Sequence, residues 1–271
     1  MTDKAARLRE LHKAPPILVL PNVWDAVSAR IVEAEGYPAI ATTSAGVANA
    51  LGYADGGAVP PKEMIEAIAR ITRAVSVPVT ADVEHGYATT PSALADIVLR
   101  VIAAGAVGVN LEDCVPGCGE LEPLALQCDK LSTVVKASAK SGVPVVVNAR
   151  TDVFLRGIGA PESRLAVAIE RGNAFLAAGA ACVFVPGVRD RETIGALTRG
   201  IHGPVNILAV KGSPTVQELE SLGVARVSVG SGPHRATVAL MQSIARELKS
   251  TGTYGFADAA LPYDAVNDLM K

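Results

Sequence analysis

The stretch AAGAVGVNLED (residues 103–113) combines a helix end, a glycine, an apolar strand and two acids. Three further stretches share the helix end, the glycine and the strand: AEGYPAI (34–40), AAGAACV (177–183) and SLGVARV (221–227). Glycine is common just past the end of a helix, and the short apolar run that follows it indicates a buried strand. The repeated pattern predicts helices that lead directly into the strands of one sheet.

Eight apolar segments of this kind occur along the 271 residues, with helical patterns between them. Strict alternation implies parallel strands, because parallel neighbours need a crossover connection. Eight such units predict an α/β protein with a (β/α)8 TIM barrel, formed as a single domain over residues 1–271. An open doubly wound sheet is the alternative, but no Gly-x-Gly-x-x-Gly opens a strand–helix turn. The predicted strands are Ile17–Pro21, Ala39–Thr43, Val77–Asp82, Val107–Leu111, Val143–Arg150, Cys182–Val185, Val205–Leu208 and Val224–Val229.

Helices are predicted both between the strands and at the two ends of the chain. Several of the helical segments begin with Pro or an acidic residue and end near Gly, as helix ends commonly do. An N-terminal helix is expected within 1–14 and a C-terminal helical extension within 233–271. The predicted helices between strands include Pro61–Val75, Pro91–Ala104, Glu162–Ala178, Asp190–Thr198 and Thr215–Leu222.

The composition excludes several classes of protein. Apolar residues make up 49% of the chain and charged residues 19%, which is typical of a compact rather than a disordered protein. The net charge of -2 provides no basic surface for nucleic acid. No apolar run approaches the ~20 residues that span a bilayer, and the N-terminus lacks a secretory signal. We therefore expect a cytoplasmic protein that binds neither nucleic acid nor membranes.

Acidic side chains follow the third and fourth predicted strands. VPVTADVEHGY (77–87) contains Asp82 and Glu84, and NLEDC (110–114) contains Glu112. In a barrel of this type the active site lies at the C-terminal ends of the strands, and carboxylates there offer the oxygen ligands that Mg²⁺ prefers. Without a cation, three neighbouring acids would repel one another. The sequence predicts a metal site, with helix caps or salt-bridged loop acids as the alternative.

Other polar residues also gather at strand ends. Charged side chains are rarely buried without partners, so their position after apolar strands indicates a functional site. Arg150 could bind a carboxylate through two parallel hydrogen bonds, or it could simply neutralise the acids. Thr43, Ser44 and Ser231 could equally be turn or cap residues. The full set after the other strands is Asn22, Asp25, Thr43, Ser44, Gly46, Arg150, Asp152, Asn206, Ser228, Gly230, Ser231 and Arg235.

Taken together, the motifs resemble the isocitrate lyase/phosphoenolpyruvate mutase superfamily, and most closely its carboxyphosphonoenolpyruvate phosphonomutase-like branch. The resemblance implies a (β/α)8 barrel that binds Mg²⁺, with Mn²⁺ as an alternative ion, and a small 2-oxo or 2-hydroxy carboxylate as substrate. Members form or break C–C or P–C bonds through an enolate. The similar segments run in order from about Leu20: PNVWDAVSARIVEAEGYPAIATTSAGVA, GYADGG, DVEHGYA, VNLEDC, NARTDVFL, FVPGV and RVSVGSG.

The resemblance also implies roles for particular residues. The metal ligands would be Asp82 and Glu84, with Glu112 joining through water. The catalytic candidates are Arg150, which would hold a carboxylate, and Asp55, which would also reach the metal through water. The substrate-binding candidates are Thr43, Ser44, Ala45, Arg150, Asn206 and Arg235, of which the first three would act through backbone N–H groups.

The family typically forms a homotetramer in which a C-terminal helix swaps between neighbouring subunits. Here the swapped segment would be Pro233–Ser250 or LPYDAVNDLM (261–270). A homotetramer is therefore the assembly that we expect for this chain.

Two loops depart from the family pattern. Isocitrate and methylisocitrate lyases carry Lys-(Lys/Arg)-Cys-Gly-His after the fourth strand, and its cysteine protonates the enolate. This chain has Cys118-Gly there, with no basic pair and no following His. Cys118 could still act as the acid, but no cation in the loop sequence would lower its pKa. The Asn-Ser ending of the mutase loop is absent, and Pro186-Gly187 replaces the lyases' Pro-Glu. Cleavage or decarboxylation of a smaller acid, such as oxaloacetate or a substituted malate, needs fewer protein groups than the isocitrate lyase, methylisocitrate lyase or mutase reactions. Such a reaction is therefore compatible with these departures.

The main hypothesis is a Mg²⁺-dependent carbon–carbon lyase or decarboxylase of a small oxo- or hydroxy-acid. Alternatives are a P–C phosphonomutase or hydrolase of the same superfamily and a Schiff-base aldolase that uses Lys211. A barrel that binds a small acid without catalysis is a further possibility. The GSGPHR segment (230–235) could also bind phosphate, as loops after the eighth strand of barrels often do.

Overall fold

The computed structural model describes residues 1–114, 117 and 119–271. Its strands form one sheet in which every neighbouring pair is parallel, in the order β1-β9-β8-β7-β6-β5-β4-β3-β2. The strands are β1 Leu18–Leu20, β2 Asn22–Val23, β3 Ile40–Thr42, β4 Val79–Asp82, β5 Gly108–Glu112, β6 Val146–Arg150, β7 Cys182–Val185, β8 Val205–Leu208 and β9 Arg226–Ser228.

The first predicted strand differs from the expectation in its bounds. It is divided at Pro21 into β1 and β2, and β2 extends beyond the predicted end. Proline has no N–H to donate to a neighbouring strand, which interrupts the hydrogen-bond ladder at that residue. Because β1 pairs with β9 while β2 pairs with β3, the two short strands act as halves of one barrel strand. The sheet thereby closes into the predicted (β/α)8 barrel, which is confirmed.

The helices surround this barrel. Each predicted inter-strand helix is present, with its ends within two residues of the expected positions, and Pro begins α4 and α5 at a position where its missing N–H costs nothing. The α-helices are α1 Thr2–Leu11, α2 Ala26–Ala34, α3 Ser44–Ala50, α4 Pro61–Ala74, α5 Pro91–Ala103, α6 Leu124–Lys140, α7 Arg164–Ala177, α8 Arg191–Gly200, α9 Val216–Ser221, α10 Gly232–Ser250 and α11 Tyr263–Leu269. Short 3₁₀ turns span Pro161–Ser163 and Gly255–Ala259.

Helix α1 covers the N-terminal end of the barrel. Its buried residues Ala5 and Leu8 pack in one cluster with Leu18 and Leu20 of β1. His12, which follows the helix, bonds through Nδ1 to the carbonyl oxygen of Leu8 at 2.7 Å. This end of the barrel is therefore closed by packing, and the opposite end is left for a site.

The C-terminal extension contrasts with the rest of the molecule. In α10 only His234 is buried, and several large apolar side chains of α10 and of the following segment are exposed. In the described ranges, no helix combines the length and the apolar character needed to cross a membrane. The exposed apolar residues from α10 onward are Val238, Leu240, Met241, Leu248, Tyr254, Leu261, Tyr263, Val266 and Met270.

Candidate active site

A cavity of about 240 Å³ lies at the C-terminal ends of the barrel strands. Glu84 and Glu112 line a second cavity of similar volume that includes Gly56, the neighbour of Asp55. Asn206 is fully buried, where its side chain lies 3.4 Å from Ser228 Oγ, and Arg235 is exposed on α10. The predicted site residues that line the first cavity are Asn22, Thr43, Ser44, Ala45, Asp55, Asp82, Arg150, Ser228, Gly230 and Ser231.

Asp82, the last residue of β4, is held by neutral donors on both sides. Its Oδ2 accepts the backbone N–H of Ser44 at 3.1 Å, and its Oδ1 accepts Nδ2 of Asn110 at 2.9 Å. Asn110 is itself fixed, because its Oδ1 accepts Nδ2 of Asn148 at 2.9 Å. A carboxylate has about four acceptor positions, so these bonds orient Asp82 and leave it able to bind a cation.

Glu84 is brought to the same region by an unusual turn. Glu84 and Tyr87 are non-glycine residues in the left-handed region, with φ of 50° and 53°, a conformation that is found preferentially at functional sites. The hydroxyl of Tyr87 donates to Oε1 of Glu84 at 3.2 Å. Burial, followed by the negative charge of Asp82, raises the pKa of Glu84 from 4.5 to about 7.

Arg150 ends β6 between two acids. Its Nε and one terminal nitrogen donate to the two oxygens of Asp152 at 2.6 and 2.9 Å, and the other terminal nitrogen lies 2.8 Å from Oε2 of Glu112. Burial raises the pKa of Glu112 to about 8, although Arg150 acts to lower it. A guanidinium has five N–H donors, and the described contacts use three of them. Arg150 therefore neutralises two acids and keeps donors for a ligand.

A second ion pair fixes the position of Asp152. Its backbone N–H donates to Oδ1 of Asp113 at 2.9 Å, and Oδ2 of Asp113 accepts Nε of the buried Arg171 at 2.7 Å. Arg171 also donates to the backbone oxygen of Glu122 at 3.0 Å. Both ends of the loop after β5 are thus tied to α7. Cys118 lies in this loop but outside the described residues, so its proposed acid role stays a prediction.

The segment at the start of α3 supplies fewer free N–H groups than the family resemblance implies. The N–H of Thr43 donates to the oxygen of Val23 at 3.0 Å, and that of Ser44 is used by Asp82. Ala45 lies in the first turn, where helix geometry leaves its N–H without an intrahelical partner. Of the three predicted residues, Ala45 is consequently the best placed to donate a backbone N–H to a ligand.

One side of the cavity is apolar, with Leu155, Phe184 and Pro186 in its lining. Gly187 stands where the lyases have Glu, and this difference has a steric cause. Its φ is 94°, and a Cβ at this position would lie 2.7 Å from the backbone nitrogen of Leu155. The loops after β6 and β7 therefore touch at backbone distance, which leaves no room for the glutamate of the lyases.

Sequence reasoning missed several polar residues inside the strands. Thr80, Asn110, Asn148 and Arg226 all line the cavity. The signal was a period of two: the first three stand two residues before Asp82, Glu112 and Arg150, and side chains two apart in a strand face the same side. A charged residue inside an apolar strand, as in VARVSVG (224–230), was the clearest unused sign.

The acids fit a divalent cation by charge, although they do not form a ready-made cage. Within the described residues, no three His, Cys, Asp or Glu side chains are placed to hold one ion. Each predicted ligand instead contacts a donor group: Asp82 the N–H of Ser44, Glu84 the hydroxyl of Tyr87, and Glu112 the guanidinium of Arg150. Mg²⁺ commonly needs only one or two protein carboxylates, and its other ligands are water and substrate oxygens. Asp82 and Glu84 can provide those carboxylates. The raised pKa values of Glu84 and Glu112 also indicate negative charge that a cation would offset.

The metal-free protein should become less stable as the pH rises from about 5 to about 8. The pKa of Glu84 is raised to about 7 and that of Glu112 to about 8. Over this interval the folded state holds more protons than the unfolded state, so the free energy of unfolding falls with rising pH. Mg²⁺ favours the ionised acids, so its stabilising effect should grow over the same range.

Thermal melting at pH 5.5 and pH 8, with EDTA and with Mg²⁺, measures both effects. Glu84→Gln removes one titrating group and should flatten the pH dependence in EDTA, whereas Asp96→Asn, on the exposed face of α5, should not. A Mg²⁺-induced rise in Tm of equal size at both pH values would contradict the expected linkage.

The barrel is closed, and acids and an arginine at the strand ends surround a small cavity. These features define the protein as a TIM barrel with a small-molecule site at the position where TIM-barrel enzymes have their active site. The family model of phosphoenolpyruvate phosphomutase matches residues 8–249. The chain belongs to the phosphoenolpyruvate mutase/isocitrate lyase superfamily, which confirms the membership expected from its motifs.

Three similar proteins illustrate this membership. A solved structure from Burkholderia cenocepacia is 40% identical, with a TM-score of 0.87 over 90% of this chain and 99% of that one. An oxaloacetate decarboxylase of Rhodopseudomonas palustris is 28% identical, over 99% of this chain and 91% of its own. A 2,3-dimethylmalate lyase of Eubacterium barkeri is 28% identical, over 99% and 94%. Enzymes that break bonds in small acids are thus among the relatives.

Proposed function

We propose that this protein is a Mg²⁺-dependent lyase that cleaves a C–C bond in, or decarboxylates, a small 2-oxo or 2-hydroxy carboxylic acid. The observation that carries the proposal is that Arg150 and Asp82 line one small cavity at the C-terminal end of the barrel. A guanidinium and a carboxylate there can bind opposite parts of one reactant. The oxaloacetate decarboxylase and the dimethylmalate lyase among its relatives support a reactant of this kind.

Arg150 binds the substrate carboxylate in this proposal. Asp152 and Glu112 hold its guanidinium plane from two sides, so little side-chain entropy is lost when a ligand binds. Ala45 lines the cavity, and its backbone N–H would be a further donor to the substrate. Such fixed donors stabilise negative charge that develops as a bond breaks, typically by about 2.7–4 kcal/mol for each donor.

Asp82 and Glu84 would hold Mg²⁺, with Glu112 acting through water. When bound, Mg²⁺ supplies Lewis-acid stabilisation of the enolate oxygen. Asp55 lines the cavity and would also join the metal through water. The apolar wall of Leu155, Phe184 and Pro186 can accept an alkyl substituent of the substrate.

A panel of substrates tests the proposal. Oxaloacetate, malate, 2,3-dimethylmalate and 2-methylisocitrate are incubated with Mg²⁺ or with EDTA, and release of pyruvate, or of glyoxylate in the case of malate, is followed. We expect Mg²⁺-dependent release from at least one of the first three. Tight binding of oxalate with Mg²⁺, but no turnover of any acid, would instead support a barrel that binds small acids without catalysis.

Phosphonomutase or P–C hydrolase activity is the second candidate, because the matching family model is that of phosphoenolpyruvate phosphomutase. Phosphonopyruvate in the same panel, followed by phosphorus NMR, tests it directly. A Schiff-base aldolase has less support, since Lys211 is exposed in the turn after β8 and is not among the described residues that line the cavity. Borohydride with substrate should leave no adduct on Lys211.

We also propose that the chain assembles as a homotetramer through its C-terminal extension. The exposed Leu240 and Met241 on α10 are the supporting observation, because apolar side chains grouped on one helix are typical of an interface. Sedimentation should give a tetramer for the native chain and smaller species for Leu240→Glu with Met241→Glu. The matched variant Arg70→Glu, on the exposed face of α4, should remain a tetramer. A native monomer would contradict the proposal.

A further inference from the structure

Arg226 places a positive charge inside the barrel that has no ion-pair partner among the described residues. It begins β9, is 2% exposed, and lines the same cavity as Asp82 and Arg150. Its terminal nitrogen lies 3.4 Å from Nε2 of His12, and its Nε has no hydrogen-bond partner among the described residues. His12 follows α1, so Arg226 marks the closed, N-terminal end of the cavity.

No residue in the described part of the chain supplies a counter-charge in contact with Arg226. Burial and the charge of Arg226 lower the pKa of His12 to about 4, so His12 is neutral at pH 7. Burial lowers the pKa of Arg226 only to about 10, so this side chain remains a cation. The Cys182 thiol is the first-named charge partner of Arg226, but burial raises the pKa of Cys182 to about 12, so this thiol is neutral at pH 7. Asp82 acts on Arg226 from beyond ion-pair distance and is already bonded to Ser44 and Asn110. A buried charge of this kind needs a partner, because leaving water is costly.

Two further polar groups beside the cavity are also without partners. Oγ1 of Thr80 and Oδ1 of Asn148 are buried and make no hydrogen bond to described residues. Ser228, two residues after Arg226 and on the same face of β9, lines the cavity as well. We name Arg226, Thr80, Asn148 and Ser228 the cavity floor. It offers a guanidinium and two hydroxyls to an anion, and an amide oxygen to a hydroxyl group.

We propose that the cavity floor binds a second anionic group of the ligand, so that the site selects short dicarboxylates over monocarboxylates. One carboxylate binds Arg150, and the other binds Arg226. The assignment of the first carboxylate rests on the proposed function. Binding at the floor requires neither Mg²⁺ nor turnover, so the two ideas can fail separately.

Succinate and butyrate provide the test, because they have the same number of carbons but two carboxylates and one. Dissociation constants are measured in EDTA by ligand-observed NMR. We expect the native protein to bind succinate about ten- to a hundredfold more tightly, as charge-assisted hydrogen bonds imply. Arg226→Met should bring succinate to the affinity of butyrate and leave butyrate unchanged. Arg226→Lys, which keeps the charge but not the planar set of guanidinium donors, should retain part of the preference for succinate.

The controls separate binding from folding. A buried ionic group can often be replaced by an apolar one of similar volume without loss of stability, and circular dichroism with melting checks this for Arg226→Met. Arg70→Met, on the exposed face of α4, should keep the full preference for succinate. Should Arg226→Met unfold, the Lys variant decides, and an unreduced preference in it would count against the proposal.

Two results would overturn the proposal. The first is native affinity for succinate in folded Arg226→Met, and the second is equal affinity of the native protein for succinate and butyrate. The second result would mean that the floor holds only water. By contrast, absence of lyase activity across the substrate panel, with the succinate preference intact, would remove the proposed function and leave the dicarboxylate site.

Discussion

Asp82→Ala should reduce kcat/KM for the Mg²⁺-dependent reaction by about a thousandfold or more. Metal ions that act as Lewis acids contribute several kcal/mol to transition-state stabilisation, and each 1.36 kcal/mol is about tenfold in rate. Asp82 lines the cavity and is oriented by Ser44 and Asn110, so no neighbouring acid can take its position without rearrangement. Release of pyruvate measures the loss of activity, and calorimetric titration with Mg²⁺ measures the loss of metal affinity.

Two further variants make this result specific. Asp82→Asn keeps the shape and the acceptor oxygen for Ser44 but removes the charge, so it should be as inactive as Asp82→Ala. Asp96→Ala, on the exposed face of α5, removes an acid outside the site and should retain full activity. Unchanged turnover by a folded Asp82→Ala protein would exclude the proposed metal role.

Arg150→Lys should lower kcat/KM by about a hundred- to a thousandfold, the loss typical of one transition-state donor. The guanidinium makes three contacts with Asp152 and Glu112 and keeps two donors. An ammonium is a point charge that cannot reproduce this planar fork. Because Arg150 binds the substrate before and during the reaction, KM should rise as kcat falls.

Arg156→Lys is the matched control, because Arg156 pairs with the same Asp152 at 3.5 Å but is half exposed. Asp152 is buried but keeps its shorter contact with Arg150, and Lys can retain the charge of the half-exposed Arg156, so this variant should keep its activity and stability. Equal losses in the two variants would indicate that Asp152 only needs a positive neighbour. Wild-type kcat/KM in Arg150→Lys would exclude carboxylate binding by the fork.

The sequence was most informative where charged residues follow apolar strands. Asp82 and Arg150 were found in this way, because no core explains a charge at such a position. The pairing of Arg150 with Asp152 was not predicted, since it depends on the turn after β6 and on the anchor that Asp113 provides. Arg226 was missed because its strand reads as an ordinary buried segment apart from that one residue.

Strand beginnings were less predictable than strand ends. The segments expected to begin at Val77 and Val143 begin instead at Val79 and Val146. A proline stands inside each predicted beginning, and its missing N–H delays the regular ladder. The short helix α3 was also not expected. Its Gly46 is required by packing, since a Cβ there would lie 2.8 Å from Thr43 Cγ2.

The backbone contact between Gly187 and Leu155 also bears on how this chain can evolve. A glutamate at residue 187, as in the isocitrate-type lyases, would collide with a backbone rather than with a movable side chain. The substitution is therefore accessible only after the loop containing Leu155 has changed, which is a case of epistasis with a fixed order of mutations. Single-site libraries at residue 187 should contain few folded members, and combined libraries of the two loops should recover them. A change of residue 187 in this chain therefore requires a change in both loops together.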